Sequence, residues 1–320
     1  MDTHKDLHGL GLPVDLVAEK EVATAATIVL TEGPAVDAEG NVFFSDIANN
    51  RIMERAPDGK VSVWRADSGR ANGNMFDAEG RLVTCEGAEF GPGGRRRITR
   101  TNMRTGEIEV LTDRYEGKRY NSPNDLVIDT LGRIFFTDPR YGDRSDMEMD
   151  VEAVYRLDPG GRVTRLLWQP TIQRPNGITI SPDNRTLYVV DGNPGLGGNR
   201  KIWAFEIAAD GTLSGQRVVY DFAPGRGADG MRVDVRGNLW IAAGISRPRH
   251  ANETGQVPTG IYVVTASGQM LGRIPVPEDV VTNLAFGGPD LKTLYIVAGK
   301  SLFSIRVNVA GHVVYPRQRM

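Results

Sequence analysis

The chain has one cysteine in 320 residues, Cys85. A lone cysteine excludes an internal disulfide and a cysteine-rich metal site. Cys85 stands in the apolar run RLVTCE with no evident histidine partner, so it is expected in the core as an inert thiol. Histidine is nearly as scarce: His4, His8, His250 and His312 are too few and too scattered for a histidine-rich metal centre. No apolar run approaches the roughly 18 residues of a membrane span. The opening MDTHKDLHGLGLP lacks the apolar segment of a secretory leader. A chain whose leader had been removed would look the same, so a soluble protein is expected with its compartment, cytoplasmic or exported, left open. Charge of one sign is also missing, with 38 Lys and Arg against 40 Asp and Glu. Without a basic face, nucleic acid is not expected as a partner, and no protein partner is indicated. The short run Arg95-Arg96-Arg97 follows Gly-Pro-Gly-Gly and reads as a solvated loop edge.

What the chain does have is a repeated phrase. NVFFSD, RLVTCE, RIFFTD, TLYVVD, NLWIAA and TLYIVA recur at spacings of roughly 40 to 55 residues. Each is short and rich in β-branched and aromatic residues, as a strand buried on both faces requires. Each is preceded by a turn (AEGN, AEGR, TLGR, PDNR, VRGN, DLKT) and followed by a second apolar strand, a further turn and a more polar strand. Six such units predict an all-β fold, a six-bladed β-propeller of four-stranded antiparallel blades around a central channel. A β-sandwich would not need six in-register copies, and β-helix coils are shorter. The expected organisation is an N-terminal extension over 1–24, one propeller over 25–316 and a tail over 317–320. ATIVL, residues 26–30, is expected to complete the last blade, with HVVYP, residues 312–316, as the alternative.

Five residues before each of Asp37, Asp77, Asp129, Ser181, Asp234 and Gly288 stand Glu32, Asn72, Asn124, Asn176, Asp229 and Asn283. All six carry a carboxylate or carboxamide at the start of a blade's first strand, which in a propeller lines the channel. They are therefore expected as one ring at one mouth. Two acids among four asparagines suit a divalent hard cation, because calcium takes six to eight oxygens from carboxylates, amide carbonyls and water. Manganese and magnesium are alternatives, and zinc is less favoured because it prefers nitrogen and sulfur. The rival reading is that the asparagines only cap turns. That reading leaves Glu32-Gly33 and Asp229-Gly230 in the same register unexplained. Strands ending in Asp46, Glu86, Asp138 and Asp191 return to the same mouth. These acids are expected behind the ring, orienting the asparagine amides, or else as solvent-facing loop ends.

TEGPAVD, NSPNDLVID, FTDPRYG, RPNGITISPD, DGMRVD and NLAFGGPDLKTLY resemble the SMP-30/gluconolactonase/LRE-like family over roughly residues 30 to 305. The resemblance implies a six-bladed propeller with one channel cation, usually calcium, acting on lactones. It implies Glu32, Asn176 and Asp229 as metal ligands, Asn124 as a further ligand to ion or substrate, and Asp229 as general base. Ser122 stands where mammalian members place a substrate-touching arginine, and NSPND is similar to the bacterial gluconolactonase-like branch. Many of that branch have Cys-Glu-His where this chain has Cys85-Glu86-Gly87.

The implied chemistry is hydrolysis of a small-molecule lactone. A channel cation would polarise the carbonyl and acidify a water, and Asp229 would take the proton. Substrate contacts are expected from Asn72, Asn124, Asn283 and Ser122, and from loops on the metal's face. Those loops carry Arg140, Tyr141 and Arg144, then Asn193 and Asn199, then Arg247, Arg249 and His250. Rival functions are a promiscuous lactonase, phosphotriesterase or arylesterase on the same site, a non-catalytic calcium-binding propeller, and a strictosidine-synthase-like propeller, which lacks this metal set.

Overall fold

Aspartates set the tight turns. The carboxylates of Asp37, Asp77, Asp129 and Asp234 each accept the backbone N–H four residues on, at Asn41, Arg81, Arg133 and Asn238, over 2.8–2.9 Å. The second carboxylate oxygen takes the side chain of that same residue. The residue between, Gly40, Gly80, Gly132 or Gly237, has a positive φ that favours glycine. Each turn therefore reverses the chain from a first strand into a second.

The computed structural model describes residues 7, 9–13, 15–27, 30–89, 93–248 and 253–316. It is a six-bladed β-propeller of four-stranded antiparallel sheets. Blade 1 runs through Thr31–Val36, Val42–Asp46, Arg51–Arg55 and Val61–Ala66. Blade 2 has Ala71–Phe76, Leu82–Glu86, Arg97–Thr101 and Ile108–Thr112. Blade 3 has Leu126–Ile128, Ile134–Asp138, Ala153–Leu157 and Val163–Trp168. Blade 4 has Pro175–Ile180, Thr186–Gly192, Arg200–Ile207 and Leu213–Asp221, and blade 5 has Ala228–Val233, Leu239–Ala243, Gly260–Val264 and Met270–Pro275. Blade 6 takes Val281–Gly287, Thr293–Ala298 and Ser301–Arg306, and its outer strand is Ala23–Thr27. The first strands contact their neighbours in a closed circuit, blade 6 against blade 1 included.

The doubly apolar second strands follow from this packing. Six buried clusters lie one between each pair of neighbouring blades. Side chains alternate across a strand, so each second strand feeds two of them. Phe43 packs toward blade 2 while Phe44 packs toward blade 6. Phe136 faces blade 2 and Phe135 faces blade 4.

The outer strand of blade 6 runs three residues earlier than ATIVL, and residues 28 and 29 lie outside the described residues. HVVYP takes no place in that sheet. Gly311 bridges to Asp234, the His312 N–H donates to the Val233 carbonyl, and the Tyr315 ring packs on Phe76 at 5.5 Å. Residues 312–315 thus line a small cavity of about 50 Å³ at the channel end away from the ring, together with Pro34, Asn74 and Arg232.

Cys85 is fully buried, and burial pushes its thiol pKa up, as an inert core cysteine requires. The arginine run is not a solvated edge. Arg95 pairs with Asp67, Arg97 with Glu86, and buried Arg96 with Asp146. Among the described residues no helix is long and apolar enough to cross a membrane.

Candidate active site

In four blades a β-bulge lies at or beside the channel residue. In blades 1, 2, 4 and 5 the register between first and second strands shifts at Glu32/Ala35, Ala71/Asn74, Pro175/Ile178 and Ala228/Met231. Such irregularities re-aim side chains and occur beside active sites. Here they fall at Gly33-Pro34, just after Glu32, and at Asn72-Gly73, Asn176-Gly177 and Asp229-Gly230. The glycines explain the recurring dipeptide. A Cβ on Gly33 would lie 2.1 Å from the Asn72 carbonyl oxygen of the next blade. A Cβ on Gly73 would lie 2.6 Å from that of Asn124, and one on Gly177 2.2 Å from that of Asp229. Backbone meets backbone around the channel, so only glycine fits.

Glu32, Asn72, Asn124, Asn176 and Asp229 line one cavity of about 290 Å³. Asn283, the sixth member of the expected ring, does not. In blade 6 the register shift falls one residue early, between Val281 and Asn283, so Thr282 lines the cavity instead. Asn283 points below, its amide donating to Glu32 Oε2 at 3.2 Å and to Asp125 Oδ2 at 3.3 Å. Asp125 stands where blades 1, 2, 4 and 5 have glycine and blade 6 has Leu284. It is fully enclosed and paired with Arg232 Nη1 at 3.2 Å.

Burial raises the Glu32 carboxyl pKa well above the usual range, and the charges of Asp229 and Asp125 raise it further. Burial raises Asp229 as well, against the opposing pull of Arg226, whose Nη2 lies 2.6 Å from Asp229 Oδ2. The Asn176 amide nitrogen donates to the Tyr141 hydroxyl at 3.0 Å, which leaves its carbonyl oxygen as the ligand-type atom. Tyr141 lines the cavity, and burial pushes its phenol pKa up.

Other expected contacts lie elsewhere. Arg140 is buried within its own loop, donating to Asp143 and Asn121 carbonyls and to Asp146 Oδ1, so it braces Tyr141 rather than facing the cavity. Ser122 is buried behind the wall, its hydroxyl accepting the Ala88 N–H at 3.0 Å. Arg144 is held by Glu152, and Asn193 and Asn199 serve Gln173 and Asp191. Arg249 and His250 lie outside the described residues.

The four strand-end acids are fully buried but do not touch the asparagine amides. Asp138 accepts the N–H groups of Asn121 and Ser122, three and two residues before Asn124. Asp191 accepts those of Gln173 and Arg174, in the same register before Asn176. They hold the backbone that enters each channel strand. The Asp138 pKa is pushed up to about 7 by burial, against those two backbone hydrogen bonds. Glu86 binds Arg65, Arg97 and Thr99, and Asp46 binds Asn49 and Arg51.

Three wall residues carry no signal in the repeat: Glu89, Arg200 and Arg226. Burial pushes Glu89 up to about 7. Arg226 sits three residues before Asp229 in APGRGAD, a spacing that could have suggested the pair. Glu89 lies in a loop and Arg200 opens the third strand of blade 4, outside the repeated phrase, where nothing in one sequence marks them.

Among the described residues no three His, Cys, Asp or Glu side chains form a cluster able to hold a metal ion, so an ion here would depend on asparagine carbonyls. The donor set suits that. Two carboxylates and the amides of Asn124 and Asn176 line one cavity, and buried Asn72 Oδ1 lacks any hydrogen-bond partner. The mutual repulsion of Glu32 and Asp229 is what a divalent cation would offset. These residues fit a hard, oxygen-seeking ion such as calcium.

Residues 30–300 match the family described as the SMP-30/Gluconolactonase/LRE-like region. Gluconolactonase of Zymomonas mobilis is 32% identical over 309 residues, covering 90% of this chain and 81% of the relative. Pentonolactonase XacC of Haloferax volcanii is 30% identical over 276 residues, covering 83% and 80%. The structure of XC5397 from Xanthomonas campestris, described as a gluconolactonase, superposes with a TM-score of 0.77 at 32% identity, covering 92% of each chain.

Proposed function

The chain belongs to the SMP-30/Gluconolactonase/LRE-like family, and from that premise we propose that it is a lactonase that opens a sugar lactone by adding water. The observation that carries the reading is the oxygen-lined cavity, in which Asp229 faces Glu32, Asn124 and Asn176. A bound divalent cation, calcium by the donor chemistry, would supply Lewis-acid polarisation of the lactone carbonyl and acidify a water. Glu32, Asn124, Asn176 and Asp229 would hold it.

Asp229 acts as general base. Arg226 donates to its Oδ2, and the carboxylate takes the proton of the attacking water. The water oxygen bonds to the carbonyl carbon, the ring C–O bond breaks, and the proton passes to the leaving alkoxide. Products are one carboxylate, one hydroxyl and a proton released to solvent as the new acid ionises. Burial raises the affinity of Asp229 for that proton, and Arg226 fixes the direction of the carboxylate. The polar wall formed by Arg200, Arg226 and the Tyr141 hydroxyl favours a hydroxylated lactone over an apolar phosphotriester or aryl ester.

The test is a hydrolysis screen over aldonolactones, γ-butyrolactones, aryl esters and phosphotriesters with calcium present, read by proton release. Turnover of aldonolactones above every other class is expected. Turnover confined to aryl esters or phosphotriesters would remove the lactonase reading.

A further inference from the structure

One buried acid on the cavity wall has no part in the chemistry above. Glu89 lies in the loop joining Leu82–Glu86 to Arg97–Thr101 of blade 2 and is only 7% exposed. The loop is folded inward by glycines. A Cβ on Gly87 would sit 2.8 Å from Ser122 Oγ, and one on Gly94 would sit 2.5 Å from the Ala88 Cα. The Gly87 N–H is held by the Arg70 carbonyl at 2.9 Å and the Ala88 N–H by Ser122 Oγ at 3.0 Å. These contacts carry Glu89 to the cavity. There its Oε1 accepts the Tyr141 N–H at 3.2 Å. This donor from the blade 3 loop orients the carboxyl while it lines the cavity.

A carboxyl group held by one donor keeps further lone pairs for others. Its two oxygens can bond two adjacent hydroxyls of one molecule. A site built to bind hydroxyls strongly rejects an analogue that lacks them, because its buried acceptor is then left unpaired. We propose that Glu89 is the hydroxyl-recognition residue of this cavity, selecting polyhydroxylated lactones over unsubstituted ones. This rests on the lactonase reading and names the substrate feature that the site reads.

The experiment compares D-glucono-δ-lactone with δ-valerolactone, which has the same ring and no hydroxyls, using the full chain with calcium. In the wild-type protein kcat/KM for the hydroxylated lactone exceeds that for the bare ring. In Glu89→Gln, which keeps the shape of the side chain, the ratio of the two values falls at least tenfold, mainly through KM for the hydroxylated lactone. A ratio unchanged by the substitution overturns the assignment of Glu89 and leaves the lactonase reading standing. So does a wild-type protein that prefers the bare ring, a result that needs no variant. A wild-type protein that opens neither lactone sinks the lactonase reading and this inference with it.

Discussion

Replacing Asp229 with asparagine should lower kcat by about 10²–10⁴-fold, the range a positioned general base contributes. The isosteric amide keeps a carbonyl oxygen toward the cavity, so an oxygen ligand is retained while the proton acceptor is lost. The fold should survive. Arg226 also donates to the carbonyls of Gly244 and Val281, so its guanidinium keeps partners when the carboxylate is gone. The loss should therefore fall on kcat, with the melting temperature shifted by a few degrees at most. Steady-state kinetics on an aldonolactone, beside a thermal melt of the same preparation, separates the two effects. Turnover within threefold of the wild-type rate would remove Asp229 from the role of base.

Gly33→Ala should be among the most destabilising single-methyl additions to this chain, at about 2–5 kcal/mol. Two costs combine. Gly33 has φ +48°, and a left-handed conformation costs a non-glycine residue about 1–2 kcal/mol. The new methyl would also meet the Asn72 carbonyl oxygen at 2.1 Å and the Gly73 Cα at 2.6 Å. Those atoms are backbone of the neighbouring blade and cannot turn aside as a side chain would, and forcing extra atoms into a packed interior typically costs about 1–3 kcal/mol. Gly40→Ala is the control. It has φ +86°, but its nearest contact is Pro57 Cγ at 3.7 Å, so it carries only the conformational cost. Denaturant midpoints of the two variants should differ, with Gly33→Ala lower. Because the strain opens the seam between Glu32 and Asn72, Gly33→Ala should lose turnover as well. Equal midpoints would mean that blades 1 and 2 are not held backbone to backbone at this seam.

The blades could be read from sequence because their second strands are buried on both faces. Phe43-Phe44 and Phe135-Phe136 are legible as strand pairs only in a fold where each sheet has neighbours on either side. The channel residues were legible by spacing, since each stands at a constant offset from the turn that follows it. That same counting misplaced Asn283. Moving the bulge by one residue in blade 6 leaves the spacing intact while turning the side chain toward Asp125. Loop residues were the least legible. Arg140 and Tyr141 are adjacent, yet the arginine is consumed by its own loop and the tyrosine faces the cavity. Glu89 reaches the wall through a glycine-rich loop whose path depends on contacts with Ser122 and Arg70, from distant parts of the chain.

The central claim is that one divalent cation, held by acid and amide oxygens at the channel mouth, is needed for lactone opening. The most direct test strips the protein with EDTA and titrates calcium back by calorimetry, assaying aldonolactone hydrolysis on the same samples. One site per chain is expected, with turnover rising in proportion to its occupancy and Glu32→Gln weakening both together. Full turnover in the stripped protein, or calcium binding that leaves the rate unchanged, would contradict the account.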